Sequence, residues 1–201
     1  MHSDLLKVLA AAGGVINRAL LPRFRGQISW AVKTGEIVRV LPAIYARCGE
    51  AESLSVRVRA VMQADPDAVI VGRAAAVLHG LLHERECRAI EVASERLHTR
   101  GWLRVTRRRI PGELISTDDG VRVSSAALTV VDLIPVVGSA IVDTGLRCRI
   151  RLEDMKTALG AIPWRSGNRE RAKVLARSAS RPWSPAERVA HEALTAAGVR
   201  G

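Results

Sequence analysis

An α+β fold is predicted by three features of the chain. Helical periodicity over the first 34 residues gives way to strand formers just beyond Gly35. Short strand-like runs between turn signals occupy residues 69–124, and helical patterning returns near Ser125. Helices and strands are thus grouped rather than strictly alternating.

The first helix is expected to start at Ser3, which suits an N-cap, with Leu5, Leu6, Val8, Leu9 and Ala12 on one broad face. Gly13-Gly14 supplies a left-handed stop, and Val15-Ile16 reads as a short extended piece. Asn17 has the chemistry to cap a brief second helix running through Leu21 and ended by Pro22. A third helix is expected from Gly26 to Thr34. Its geometry groups Ile28, Ala31 and Val32 on one side and Gln27, Ser29, Trp30 and Lys33 on the other. Gly35 closes it. Ile37 to Leu41 and Ile44 to Ala46 then read as two strands around a Pro42-Ala43 turn.

Three short helices followed by a hairpin make a winged helix-turn-helix, assigned here to residues 1–47. A second, α+β domain with a small mixed sheet is expected over 53–163. It opens with an amphipathic helix carrying Leu54, Val58, Val61 and Met62, and an Asp65-Pro66-Asp67 turn leads from that helix into a buried strand, Val69-Ile70-Val71. An Ala-rich helix follows to Gly80. Ala89–Val92, Leu103–Ile110 and Val121–Ser124 read as further strands, with turns at Arg100-Gly101 and at Asp118-Asp119-Gly120. Residues 164–201 are expected to form a helical extension, within which Arg165 to Arg188 is a Pro-, Ser- and Arg-rich stretch around a helix, with Trp164 and Trp183 at its margins and part of it a mobile connection.

Composition narrows the function. The chain has 201 residues, 48% apolar and 25% charged, enough to bury a core without disulfides or metal. Cys48, Cys87 and Cys148 are odd in number and contain no CxxC pair, which argues against a disulfide framework and a zinc ribbon. The stretch Leu133 to Val142 is broken by Pro135 and Gly138 and is too short to cross a bilayer, and the start Met1-His2-Ser3-Asp4 lacks the basic region of a secretory signal. A cytoplasmic protein with no membrane partner is expected. The formal charge is +11, and only four of its 31 basic residues are lysines. Guanidinium groups grip phosphate oxygens in pairs and read the guanine edge, so this excess suits nucleic acid, although a codon bias toward Arg gives the same count.

Position favours the first reading. Lys7, Arg18, Arg23, Arg25, Lys33, Arg39 and Arg47 face only Asp4 and Glu36 within residues 1–47, a local net of +5. In a winged helix the third helix enters the major groove and the wing follows the backbone. Asn17, Arg18, Arg23, Arg25, Gln27, Ser29, Trp30, Lys33 and Arg39 are therefore the candidate contacts to double-stranded DNA. Trp30 falls opposite Ile28 and Val32, so it is expected to touch a partner or the following domain.

Several runs carry a family resemblance: Gly14 to Leu21, Ile28 to Gly35, Ile37 to Ala46, Ala74 to Leu81, Arg88 to Ala93, Val121 to Leu133 and Ser184-Pro185-Ala186-Glu187-Arg188. In this order they resemble the AbiEi family of antitoxins, of the actinobacterial type. The resemblance implies a transcriptional autorepressor of a type IV toxin-antitoxin pair, acting on its own promoter, with a nucleotidyltransferase-like toxin as partner. It also implies a carboxyl end shortened relative to relatives that continue into an endonuclease-like domain. The second domain is then expected to form a homodimer or to counter the toxin.

No catalytic residue, metal or cofactor is assigned. His79, His83 and Cys87 recur every four residues, as zinc ligands on one helix face would, but Gly80 and Glu84-Arg85-Glu86 interrupt such a helix. Gly138-Ser139 lacks the acidic pair that a nucleotidyltransferase motif requires. Asp132, Asp143 and Asp154 are expected singly near helix ends. His191 beside Glu187 and Glu192 reads as a solvated cluster. The basic run Arg104, Arg107, Arg108 and Arg109 reads as the solvated face of a sheet or as a second anionic contact. Two other functions stay open: a protein-interaction module for an acidic partner without DNA, and a non-catalytic relic of an endonuclease-like protein.

Overall fold

The computed structural model describes residues 3–179 together with 193, 194, 196 and 197. The sequence expectations for Trp183, for Ser184 to Arg188 and for His191 lie outside the described residues.

Helix α1 (Ser3–Ala11) buries Leu5 and Leu9 completely, and Gly13 and Gly14 follow it with φ of 64° and 84°. That backbone turns the chain into β1 (Val15–Asn17). Asn17 does cap a turn, its Oδ1 accepting from the Ala19 amide at 2.9 Å, but the turn is a single 3-10 turn, Arg18–Leu20. Pro22 does not simply end it. It occupies the first position of a second 3-10 turn, Pro22–Phe24, where its missing N–H leaves nothing unsatisfied. α2 (Arg25–Lys33) follows and is closed by Gly35 at φ 75°.

β2 (Ile37–Leu41) and β3 (Ile44–Arg47) form the expected hairpin, and β1 pairs with β3 on its other side to give the order β1-β3-β2. Strand alternation divides this sheet's residues between two cores. Ile16, Ile37 and Tyr45 join Leu5, Leu9, Phe24, Ile28 and Ala31, while Val15, Ile44 and Ala46 face away from them. Ile37 and Leu41 would share a face in a regular strand. A register shift between Arg39 and Leu41 instead turns Leu41 toward the Val15 side.

That second face packs on α3 (Leu54–Ala64), whose start is capped by Ser53 and by the Glu84 carboxylate at 3.0 Å from the Leu54 amide. α3 contacts all three strands of the first sheet and two strands of the second. The core built on Val56, Val58, Ala60 and Val61 therefore continues from Val15 and Ile44 to Ile70, Ile90, Val92 and Leu103 without a break at residues 47–53.

The second sheet is mixed, with the order β6-β5-β4-β8-β7. β4 (Val69–Val71) lies at its centre, antiparallel to β5 (Ile90–Ala93) and parallel to β8 (Val121–Ser124); β5 is parallel to β6 (Leu103–Thr106). The strand read as Leu103–Ile110 stops at Thr106, where Arg107 turns to donate to the Leu97 carbonyl at 2.6 Å. β7 (Ile115–Asp118) has no counterpart among the sequence expectations. It is an edge strand, exposed from Ser116 onward, paired with β8 through a tight turn at Asp119-Gly120 with φ of 44° and 71°.

α4 (Gly72–Leu78) follows β4 directly. Gly72 is at φ 62°, and a Cβ there would sit 2.0 Å from a Glu91 carboxylate oxygen, so both backbone and space require glycine. The far face of the sheet is covered by α5 (Ala126–Val137), α6 (Ala140–Arg147), α7 (Leu152–Gly160) and α8 (Asn168–Ala179). α8 falls in the stretch read partly as a mobile connection, yet it packs on α5 and α7 with Leu175 and Arg171 buried. No described helix is long and apolar enough to cross a membrane.

Candidate nucleic-acid interface

α2 is short and poorly capped. Its N-cap residue, Phe24, gives no side-chain bond, no acid stands in the first turn, and the first helical residue is Arg25. A cation there opposes the helix dipole, so local helix stability does not account for it. Ile28 and Ala31 anchor the helix. Val32, expected beside them, is 41% exposed, because it lies at the margin of the stripe that meets the Leu5–Leu9 core.

The polar side is open to solvent over most of its length. Arg25, Ser29 and Lys33 recur every four residues and run along one exposed stripe, while Trp30, 51% exposed, stands further round the helix. Arg23 is exposed in the turn ahead of α2, its guanidinium 4.9 Å from the Phe24 ring centroid. Arg39 projects from β2, against which α2 packs. Among the described residues Arg18, Arg23, Arg25, Lys33 and Arg39 have no ion pair.

The other candidates are less free. Gln27 is half-buried, and its buried Oε1 has no hydrogen-bond partner among the described residues. Arg18 is half-buried, and its backbone amide donates to Ala43 at 2.8 Å. Asn17 uses both ends of its amide internally. Its Oδ1 holds the Ala19 amide and its Nδ2 reaches the Gln63 carbonyl at 3.5 Å, while Gln63 donates back to the Val15 carbonyl at 2.9 Å. These contacts fasten β1 to α3.

A second charged centre escaped the sequence reading. Asp132 lies inside α5 rather than near its end, is buried, and pairs with both Arg108 and Arg165. Arg171 reaches the Val131 carbonyl at 3.0 Å in the same region. Burial pushes the Arg108 and Arg165 guanidinium groups down to about 10, with the charges of Arg108 and Arg171 adding to the effect on Arg165. Arg171 is lowered by burial and then by Arg108. The signal in the sequence is a lone carboxylate within the otherwise apolar run Val130 to Ile134.

His79 does not align with His83 and Cys87. α4 ends at Leu78, Gly80 reverses the chain at φ 69°, and the His79 ring nitrogen Nε2 lies 2.7 Å from the Ser124 carbonyl. Among the described residues no group of three or more His, Cys, Asp or Glu is placed to hold a metal ion.

No curated protein matches the chain significantly. A family model does: residues 68–146, from the start of β4 to near the end of α6, match the AbiEi antitoxin C-terminal domain. The Ala74–Leu81, Arg88–Ala93 and Val121–Leu133 runs that carried the sequence resemblance all fall inside that span. Over the strands of this mixed sheet and α4, α5 and most of α6, the chain is similar to the C-terminal domain of the AbiEi antitoxins.

Proposed function

We propose that the chain is a non-enzymatic, cytoplasmic antitoxin that represses its own promoter, paired with a nucleotidyltransferase-like toxin. The AbiEi antitoxin domain at 68–146 supports the antitoxin role. The observation that carries the DNA-binding part is the set of unpaired, exposed cations on α2, on the turn before it and on β2. The order of elements and the β1-β3-β2 sheet agree with a winged helix.

In this reading α2 lies in the major groove with Arg25, Ser29 and Lys33 toward the bases and phosphates. Trp30 rests on a sugar or a thymine methyl, and Arg39 follows the backbone from the wing. Arg23 adds a phosphate contact ahead of the helix. The second domain joins two copies on a two-fold-related operator.

The test is binding to the DNA upstream of the chain's own gene. With about five phosphates neutralised, affinity should fall by about 500-fold between 50 and 200 mM salt. The Arg25→Glu, Lys33→Glu double variant should lower the salt slope by about 2 while leaving stability within about 0.5 kcal/mol. Unchanged binding by that variant would remove α2 from the interface.

A further inference from the structure

In the second sheet, two hollows adjoin along β5, β6 and the start of α4. The larger, about 520 Å³, is walled by Arg73, Arg85, Arg88 and Arg104 with Glu86 and Glu91. Its size falls within the ~300–1,000 Å³ that holds a nucleotide-sized ligand. The smaller, about 260 Å³, shares Glu91 and Arg104 and continues to Arg108, Asp132, Val136 and Arg165. Shared walls make the two a single trough. Six arginines line it against three carboxylates, and Arg73, Arg85 and Arg88 form no ion pair among the described residues.

At the far end, next in the chain to Arg165, Trp164 is 96% exposed, and Val136 in the trough wall is 63% exposed. Trp164 precedes a residue of the trough wall, and an indole left almost wholly in water lacks a structural reason. The arginines and the indole together supply what an unpaired strand offers surfaces for: cations along phosphates and a flat ring for a base. An acidic peptide would match the arginines but leave the indole unmatched. A duplex keeps its bases stacked inside, so neither the hollows nor the indole would be met.

We propose that this trough binds single-stranded nucleic acid, with its arginines along the phosphates and Trp164 stacked on a base. The proposal is independent of the duplex-binding reading of α2.

It is tested with the full chain by fluorescence anisotropy, using labelled 12-nucleotide RNA and DNA of one sequence and the matching duplex. Arg85→Glu with Arg88→Glu should weaken single-strand binding by about tenfold or more and lower the salt slope by about 1.4. Trp164→Ala, at a side chain the fold does not bury, should weaken it by about 5- to 150-fold. Arg25→Glu with Lys33→Glu should leave it within about twofold. Binding of either strand supports the proposal, and the RNA-to-DNA ratio reports whether a 2′-hydroxyl is read. Three results would overturn it: no binding of either strand, equal losses for duplex and single strand in the trough variants, or displacement of the oligonucleotide by a short poly-glutamate peptide at equal charge.

Discussion

In the amino-terminal module Arg23, Arg25, Lys33 and Arg39 are exposed and form no ion pair among the described residues. Around the second sheet, many arginines turn back onto the chain. Arg96 and Arg122 hold Asp67, Arg107 donates to backbone carbonyls, and Arg108 and Arg165 close on Asp132. The same residue type is thus a free surface charge at Arg23, Arg25 and Arg39 in the first region and, at Arg96, Arg107, Arg108, Arg122 and Arg165, a structural fastener in the second. Net charge cannot separate the two roles; burial and partners can. It follows that charge reversal should affect ligands in the first region and stability around Asp132.

The strongest way to break that contrast is Asp132→Ala. Removing the carboxylate leaves Arg108 and Arg165 partly buried without their counter-charge, and unfolding free energy should drop by about 3–5 kcal/mol in urea denaturation. A loss below about 1 kcal/mol would mean that water already screens the cluster. Next in size is Ile28→Ala, which empties a fully buried position under α2 and should cost about 3 kcal/mol. It should also weaken operator binding at temperatures where the fold persists, since the helix would lose its seat. The smallest effect sharpens the comparison most. Asn17→Ala should cost about 1 kcal/mol in thermal unfolding through the lost cap, and should change operator affinity by less than twofold because both ends of its amide are bonded within the chain. A large affinity loss with intact stability would restore Asn17 as a contact.

How much was legible depended on how local each signal is. α1, the glycine stop after it, α2 and the β2–β3 hairpin follow from neighbours within a few residues, and all appear close to their expected bounds. β7 stayed hidden because Ile115–Asp118 is an exposed edge with no apolar alternation. Pairing of β1 with β3 joins Val15 to Ala46, a separation over which sequence spacing carries no register. Asp132 could be singled out as odd in its helix, but Arg165 lies too far along the chain to be named as its partner. At the candidate interface, Trp30 and Lys33 stand on the outward side that helical geometry assigns them, whereas the contact of Asn17 with Gln63 depends on α3 and had no local sign.

α3, clamped between two sheets, has a consequence for how such modules can be recombined. A graft cut ahead of Leu54 would leave Val15, Ile44 and Ala46 without the surface they rest on, and one cut after Ala64 would strip Ile70 and Val92 in the same way. Any exchange of the amino-terminal half between relatives must therefore carry the helix and both of its matching surfaces together, which ties the heredity of one half to that of the other.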